Sequence, residues 1–263
     1  MQPHDHSPLD DFIEYPENEM MSRSADFLQT MQRRHSIRQF SDRPVDKKVI
    51  ENCLLTAGTA PSGANHQPWH FAAINSSTVK QKVREQAEAH ERGFYEGRAG
   101  EQWLQDLKPL GTDSSKPYLE LAPWLIAVFS QKSGETESGD KRQNYYVHES
   151  VGIAVGMLIT ALHNAGLATL THTPKPMNFL TQVCNRPENE RAYMLIIAGY
   201  PADEATIPAH AKQKKPLESI ASFLWWNKKM GSEYFYDQLT PPPIISPFLL
   251  TYWERLSTFH RFS

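Results

Sequence analysis

An α/β or α+β fold is predicted by three features of the sequence. Short apolar runs with strand character alternate along the chain with segments of helical spacing. Glycine or proline punctuates several of the joins. The composition, 40% hydrophobic and 22% charged, is that of an ordinary globular protein, so a core exists to bury the runs. At 263 residues the chain accommodates one large domain or two small ones.

The elements are read in chain order. Residues 1–22 form an N-terminal arm, extended over residues 1–20. Residues 22–35, "SRSADFLQTMQRRH", have helical spacing with Ser24 as a candidate N-cap. In the next helix, "DRPVDKKVIENCLLTAGTA", the residues Val49, Ile50, Cys53, Leu54 and Ala57 make one apolar stripe. Pro61, Gly63 and Pro68 then break regular structure before a strand from Trp69 to Ile74. Residues 78–120 are charged, poor in β-branched runs, and read as helices that need not belong to the core. Residues 121–130 are a buried strand, and residues 144–164 a long apolar helix. Gly152 and Gly156 lie one turn apart on that helix, a spacing that serves either close approach of another helix or ordinary internal packing. "LATLTHTP" and "YMLIIAGYP" are two further strands. The domain proper is expected over residues 23–222, and residues 223–263 are an aromatic-rich C-terminal extension.

Several function classes are disfavoured. A net charge of −3 gives no basic field for nucleic acid. Cys53 and Cys184 are far apart and form no metal-ligand spacing, a usage that favours a reducing, cytoplasmic setting. The acidic N-terminus lacks the pattern of a signal peptide, and His4 and His6 read as part of a polar tail rather than as a metal site. The apolar helix is too short to cross a bilayer, which takes roughly 20 residues. Neither a GxGxxG nor a GxxxxGK[ST] fingerprint occurs, so a nucleotide-like cofactor would need another cradle.

Four constellations carry candidate chemistry. In "RRHSIRQFS" the residues Arg34, Ser36 and Arg38 alternate; on an extended segment they share a side and make a phosphate receptor, or else a solvated basic patch. In "TAPSGANHQPWHF" the small residues Ser62, Gly63 and Ala64 can present backbone N–H groups to an oxyanion, or merely connect helix to strand. In "THTP" a threonine hydroxyl stands in extended backbone before a proline, where it can bond a ring nitrogen or simply end a strand. Glu91 and Tyr95, one helical turn apart, could join Lys116 to hold a zwitterion, though charged runs more often face water.

In this order, these segments resemble the flavin-dependent nitroreductase superfamily, and within it the iodotyrosine deiodinase branch. The matching pieces include "YPENEMMSRSADF", "RRHSIRQFS", "TAGTAPSGANHQPWHF", "WLQDLKPL", "NAGLATLTHTP", "RPENERAYMLIIAGYP" and "KKPLESI", from about residue 13 to 220. "RxSxR" and "GYP" are common to the superfamily, whereas "TAPSGAxxxPW" with Glu91, Tyr95 and Lys116 is specific to the branch. The spacing through Trp103 to Lys116 also matches the branch's substrate lid, expected at about residues 85–120.

The resemblance implies an α+β, nitroreductase-like FMN-binding fold: a central mixed sheet flanked by helices, in an intertwined homodimer. It assigns Arg34, His35, Ser36, Arg38, Ser62, Gly63, Thr171, His172, Thr173 and Lys214 to FMN, with the Thr173 hydroxyl on flavin N5 in a catalytic role. Lys214 stands where the family usually has arginine, which keeps the charge and loses the bidentate fork. Ala64, Glu91, Tyr95 and Lys116 are assigned to a halotyrosine, the Ala64 N–H to its phenolate. The implied reaction is reductive dehalogenation to tyrosine and halide by one-electron steps, with NAD(P)H or a reductase as the indirect electron source. Animal members carry an N-terminal anchor not seen in this sequence, so a soluble, bacterial-type homologue is expected. Rival readings are a general NAD(P)H-dependent nitro or quinone reductase, a flavin-destroying enzyme, and a halotyrosine- or flavin-binding protein without turnover. The tail is expected to pack on a partner subunit, with membrane contact the weaker alternative.

Overall fold

The computed structural model describes residues 6–136 and 138–224. The chain divides into two units, Met1–Gln213 and Lys214–Ser263. The described part of the second holds one 3-10 turn, Leu217–Ser219. The tail's tryptophans lie outside the described residues.

The first unit is built on a four-stranded sheet of β1 (Trp69–Ile74), β2 (Trp124–Gln131), β5 (Ala168–His172) and β6 (Glu190–Gly199), in the order β1-β2-β6-β5. β3 (Ser133–Glu135) and β4 (Lys141–Gln143) form a separate hairpin. All the strand pairings are antiparallel, so the expected mixed sheet reduces to one parallel bridge, Ser36 beside Thr169, on the outer side of β5.

β2 is apolar along its length because both faces of the sheet are covered. On one face Leu125, Ala127 and Phe129 pack with α3 (Ser77–Gly93), α5 (Tyr118–Leu121) and α7 (Asn178–Val183). On the other, Trp124, Ile126 and Val128 meet α2 (Lys47–Gly58) and α6 (Val147–Asn164). The alternation follows from the two-residue period of a strand. α1 (Glu17–Gln32) buries none of its residues, and α4 (Glu101–Leu107) is a short surface helix. No described helix is long and apolar enough to cross a membrane.

Three expectations are corrected. The first helix begins at Glu17 behind Pro16, inside the arm read as extended; Ser24 sits mid-helix with its hydroxyl on the Met21 carbonyl, not at a cap. The charged segment 78–120 does join the core: Val83, Ala87 and Leu119 are fully buried. Val83 and Ala87 lie on the buried side of α3 together with Lys80, a short stripe hidden by the charge content. β3, β4 and α7 were not anticipated, because "SGE" and "KRQ" carry no strand signal and six residues make a weak helical one.

Gly152 faces inward, where an added Cβ would lie 3.4 Å from the Tyr193 hydroxyl, so internal packing explains it. Gly156 faces outward into a groove of about 700 Å³ lined by Phe27, Val49, Ile153 and Met157.

Leu158, fully buried between α6 and the sheet, is the plainest test of that core. Leu158→Ala is expected to cost about 3 kcal/mol, read by urea unfolding.

Candidate active site

A cavity of about 280 Å³ opens between the end of β5 and the segment that follows α3. One wall is Arg38, Leu170, Thr171, His172 and Thr173; the other is Glu91, Phe94, Tyr95, Trp103 and Lys116. Residues distant in sequence are thus brought together.

Lys116 is the most enclosed charge here, with 2% of its surface exposed. Its Nζ donates to Thr112 Oγ1 at 3.0 Å and to the Asp113 carbonyl, and pairs with Glu91 Oε2 at 3.4 Å. An ammonium carries three protons, so all are engaged. Burial lowers the Lys116 pKa, and Glu91 opposes that shift. Tyr95 donates its hydroxyl to the Thr112 carbonyl at 3.3 Å and lays its ring beside the ammonium, 5.6 Å away. Phe94 stacks edge-on against Tyr95 and Trp103. Trp103 is 55% exposed, an apolar surface that a ligand in the cavity can cover.

The strand period sorts the opposite wall. Thr171 and Thr173 are exposed, while His172 points inward and meets Tyr118 edge to face at 6.0 Å. Burial, with Lys116 and Arg38 nearby, pushes the His172 pKa down to about 3, so the ring is neutral. Its Nε2 is buried with no hydrogen-bond partner. Burial likewise raises the Tyr118 phenol.

The "SGAN" loop takes a different form from a plain connection. Ala64, Asn65 and Gln67 all have positive φ, at 50°, 53° and 47°, a cluster uncommon for residues with side chains. Local bonds hold it: Ser62 Oγ accepts the Gln67 N–H at 2.9 Å, and Gly63 N–H reaches Ser150 Oγ at 3.4 Å. His66 stacks near Tyr145, with centroids 5.5 Å apart. Ser62 Oγ thus braces the loop from within, and the Gly63 N–H ties it to α6. Among the described hydrogen bonds, the Ala64 N–H has no acceptor.

The remaining expected residues of the first unit are not among those that line the cavity. Arg34 follows the end of α1, its N–H on the Met31 carbonyl at 3.1 Å. Arg34, His35, Ser36, Ser62, Gly63 and Ala64 do not line the cavity. The SGAN loop feeds β1 and the threonines end β5, the two outer strands of the sheet. Their axes are about 14 Å apart by strand spacing. Lys214 opens the second unit. His90, Phe94, Leu107, Thr112 and Tyr118 line the cavity unforeseen; the only signal was aromatic density around Trp103.

The chain is similar to proteins already known. The model of the nitroreductase family matches residues 31–200. The chain is 48% identical to an iodotyrosine deiodinase of Haliscomenobacter hydrossis over 202 residues, covering 77% of this chain and 91% of that one. It is 44% identical to human iodotyrosine deiodinase 1 over 207 residues, covering 78% and 71%. A crystal structure of oxidized iodotyrosine deiodinase bound to FMN and 3-iodo-L-tyrosine is similar with a TM-score of 0.61 and 30% identity, covering 76% of this chain and 98% of that one. An FMN-bound nitroreductase of Bacteroides fragilis, at TM-score 0.54 and 19% identity, shares the fold, covering 76% and 99%.

A Cβ on Gly63 would stand 2.8 Å from the Tyr145 carbonyl oxygen. Gly63→Ala is expected to displace the loop and cost about 2 kcal/mol, checked by thermal unfolding.

Proposed function

Because the chain belongs to the nitroreductase family, we propose that it is an FMN-dependent oxidoreductase that removes halide from 3-halotyrosines. The observation that carries the reading is the cavity itself, which sets Glu91, Tyr95 and Lys116 against Thr171 and Thr173.

The donors fit FMN. Arg38 supplies a cation in the cavity wall, and the exposed hydroxyls of Thr171 and Thr173 can meet the polar edge of a flat heterocycle. The unpartnered His172 Nε2 marks the same wall as polar and unfinished. Arg34, His35, Ser36, Ser62, Gly63 and Lys214 remain assigned to FMN by resemblance. Bound and reduced, FMN supplies electrons, in single steps, to replace the carbon–halogen bond by carbon–hydrogen; an electron pair and a proton enter and halide leaves. NAD(P)H or a reductase is the proposed source of those electrons. The Thr173 hydroxyl would hold the flavin at N5.

The amino-acid end of the substrate enters by exchange. The protons of Lys116 are held by Thr112, by Asp113 and, at the longest distance, by Glu91. A substrate carboxylate displaces Glu91 from the ammonium, and the freed Glu91 takes the substrate ammonium. Neither charge is left bare, so the cost of parting a buried pair is avoided. Tyr95 borders the exchange, while Phe94, Trp103 and Leu107 shed water from the aromatic end.

The phenolate needs a donor, and the Ala64 N–H is offered from the loop before β1, across the sheet from Thr173. A second copy of the chain resolves the separation by bringing its own loop to this cavity. The outward groove with Phe27, Ile153 and Met157 supplies apolar surface for such a homodimer.

The test is anaerobic titration of the FMN-loaded protein with 3-iodo-L-tyrosine, followed by dithionite and assay of tyrosine. Quenching of flavin fluorescence and release of tyrosine are expected; reduction of nitroaromatics without either would favour a general reductase. Lys116→Ala and Glu91→Gln should each weaken binding about tenfold or more, since each strands a partner. Thr173→Ala is expected to lower turnover about tenfold with the dissociation constant changed less than about threefold. Sedimentation equilibrium should return twice the chain mass.

A further inference from the structure

Glu88 does not line the cavity, yet it is half-buried beside it, and its Oε1 accepts two hydrogen bonds. Lys80, Arg84, Glu88 and Glu91 succeed one another along α3 at the spacing of one helical face. Each reaches the chain between residues 112 and 122. Lys80 Nζ donates to the carbonyls of Glu120 and Ala122 at 2.7 and 2.8 Å. Arg84 lies 3.6 Å from the Glu120 carboxylate. Glu88 Oε1 accepts the Lys116 backbone N–H at 2.7 Å and the Arg84 Nε–H at 2.8 Å. Glu91 meets the Lys116 ammonium. One face of α3 is thus fastened to the strip that carries Lys116, contact by contact.

We propose that Glu88 is a positioning residue for the substrate's amino-acid end: it fixes the backbone from which Lys116 reaches the carboxylate. The proposal rests on the halotyrosine reading above and adds a residue that touches no ligand. Lys116 precedes a proline, which restricts its backbone to extended conformations. Its carbonyl accepts from Leu119 at 3.0 Å, within the strip, whereas its N–H finds its partner outside it. Glu88 is that partner. Burial disfavours the charged Glu88, but the Lys116 N–H and Arg84 outweigh it and hold the carboxyl below its ordinary range. The anchor is therefore ionised at neutral pH. Release of the Lys116 backbone would swing an ammonium at the end of a long stem, and small displacements of a binding group cost affinity steeply.

The experiment compares two probes on the FMN-loaded protein: 3-iodo-L-tyrosine, and 2-iodophenol, which has the halogenated ring but no amino-acid end. Binding is read by flavin fluorescence. Glu88→Ala should raise the dissociation constant for 3-iodo-L-tyrosine about tenfold. That for 2-iodophenol should stay within about twofold, because its contacts do not include Lys116. Glu88→Gln keeps a carbonyl acceptor for the Lys116 N–H and should recover most of the loss. Arg84→Met should reproduce the selective loss at smaller amplitude, and it decides the question if Glu88→Ala does not fold. Equal weakening of both probes, or unaltered binding of 3-iodo-L-tyrosine, overturns the positioning role. Failure of the unsubstituted protein to bind 3-iodo-L-tyrosine overturns the functional reading instead, and is seen before any variant is made.

Discussion

A lysine ammonium taken out of water must have every proton accepted, or it will not stay charged. Lys116 meets that demand with Thr112, Asp113 and Glu91, and the surrounding architecture follows from it. α3 has to pass close enough to give Glu91, and the strip from Thr112 has to fold back to give its own acceptors. Lys80, Arg84 and Glu88 hold those two pieces together. The charges the site would offer a ligand are therefore already paired with each other. A zwitterion suits such a site because it replaces both halves of the pair at once.

The sheet imposes a second constraint. Antiparallel order places β1 and β5 at opposite edges, with β2 and β6 buried between them on both faces. Groups that end β5 and groups that precede β1 face different neighbourhoods of one chain. A reaction that needs both sets argues for self-association more strongly than any single apolar surface does. The groove by Gly156 is compatible with this, but it is the division of the donors that gives a second copy something to contribute.

The SGAN loop shows how local strain is maintained by distant packing. Three residues with positive φ follow Gly63, whose missing side chain lets the loop lie against the Tyr145 carbonyl. Ser62 and Ser150 supply the bonds that keep it there. Backbone held in a sparsely populated region persists only where its surroundings over-determine it, and it is often found where a backbone group must be aimed. Here the candidate for aiming is the Ala64 N–H.

Much of this was legible in the chain. The strand from Trp69 to Ile74 was marked by Pro68 before it and by its apolar content. The second helix was marked by its apolar stripe, though it begins at Lys47, where the Asp46 carboxylate accepts the Lys48 N–H, rather than at Asp42. Family-specific segments pointed to the flavin fold and to Glu91, Tyr95 and Lys116 together. What local pattern could not convey was partnership. It did not show that Lys116 takes two of its acceptors from its own strip, that Glu88 holds its backbone, or that His172 turns inward between two outward threonines. It also did not show that Ser62 and Gly63 serve the loop. Periodicity and turn chemistry are properties of neighbours in sequence, so the sequence by itself determined the longer elements and the family. Which buried donor meets which acceptor depends on how those elements pack, and only the tertiary structure decided that.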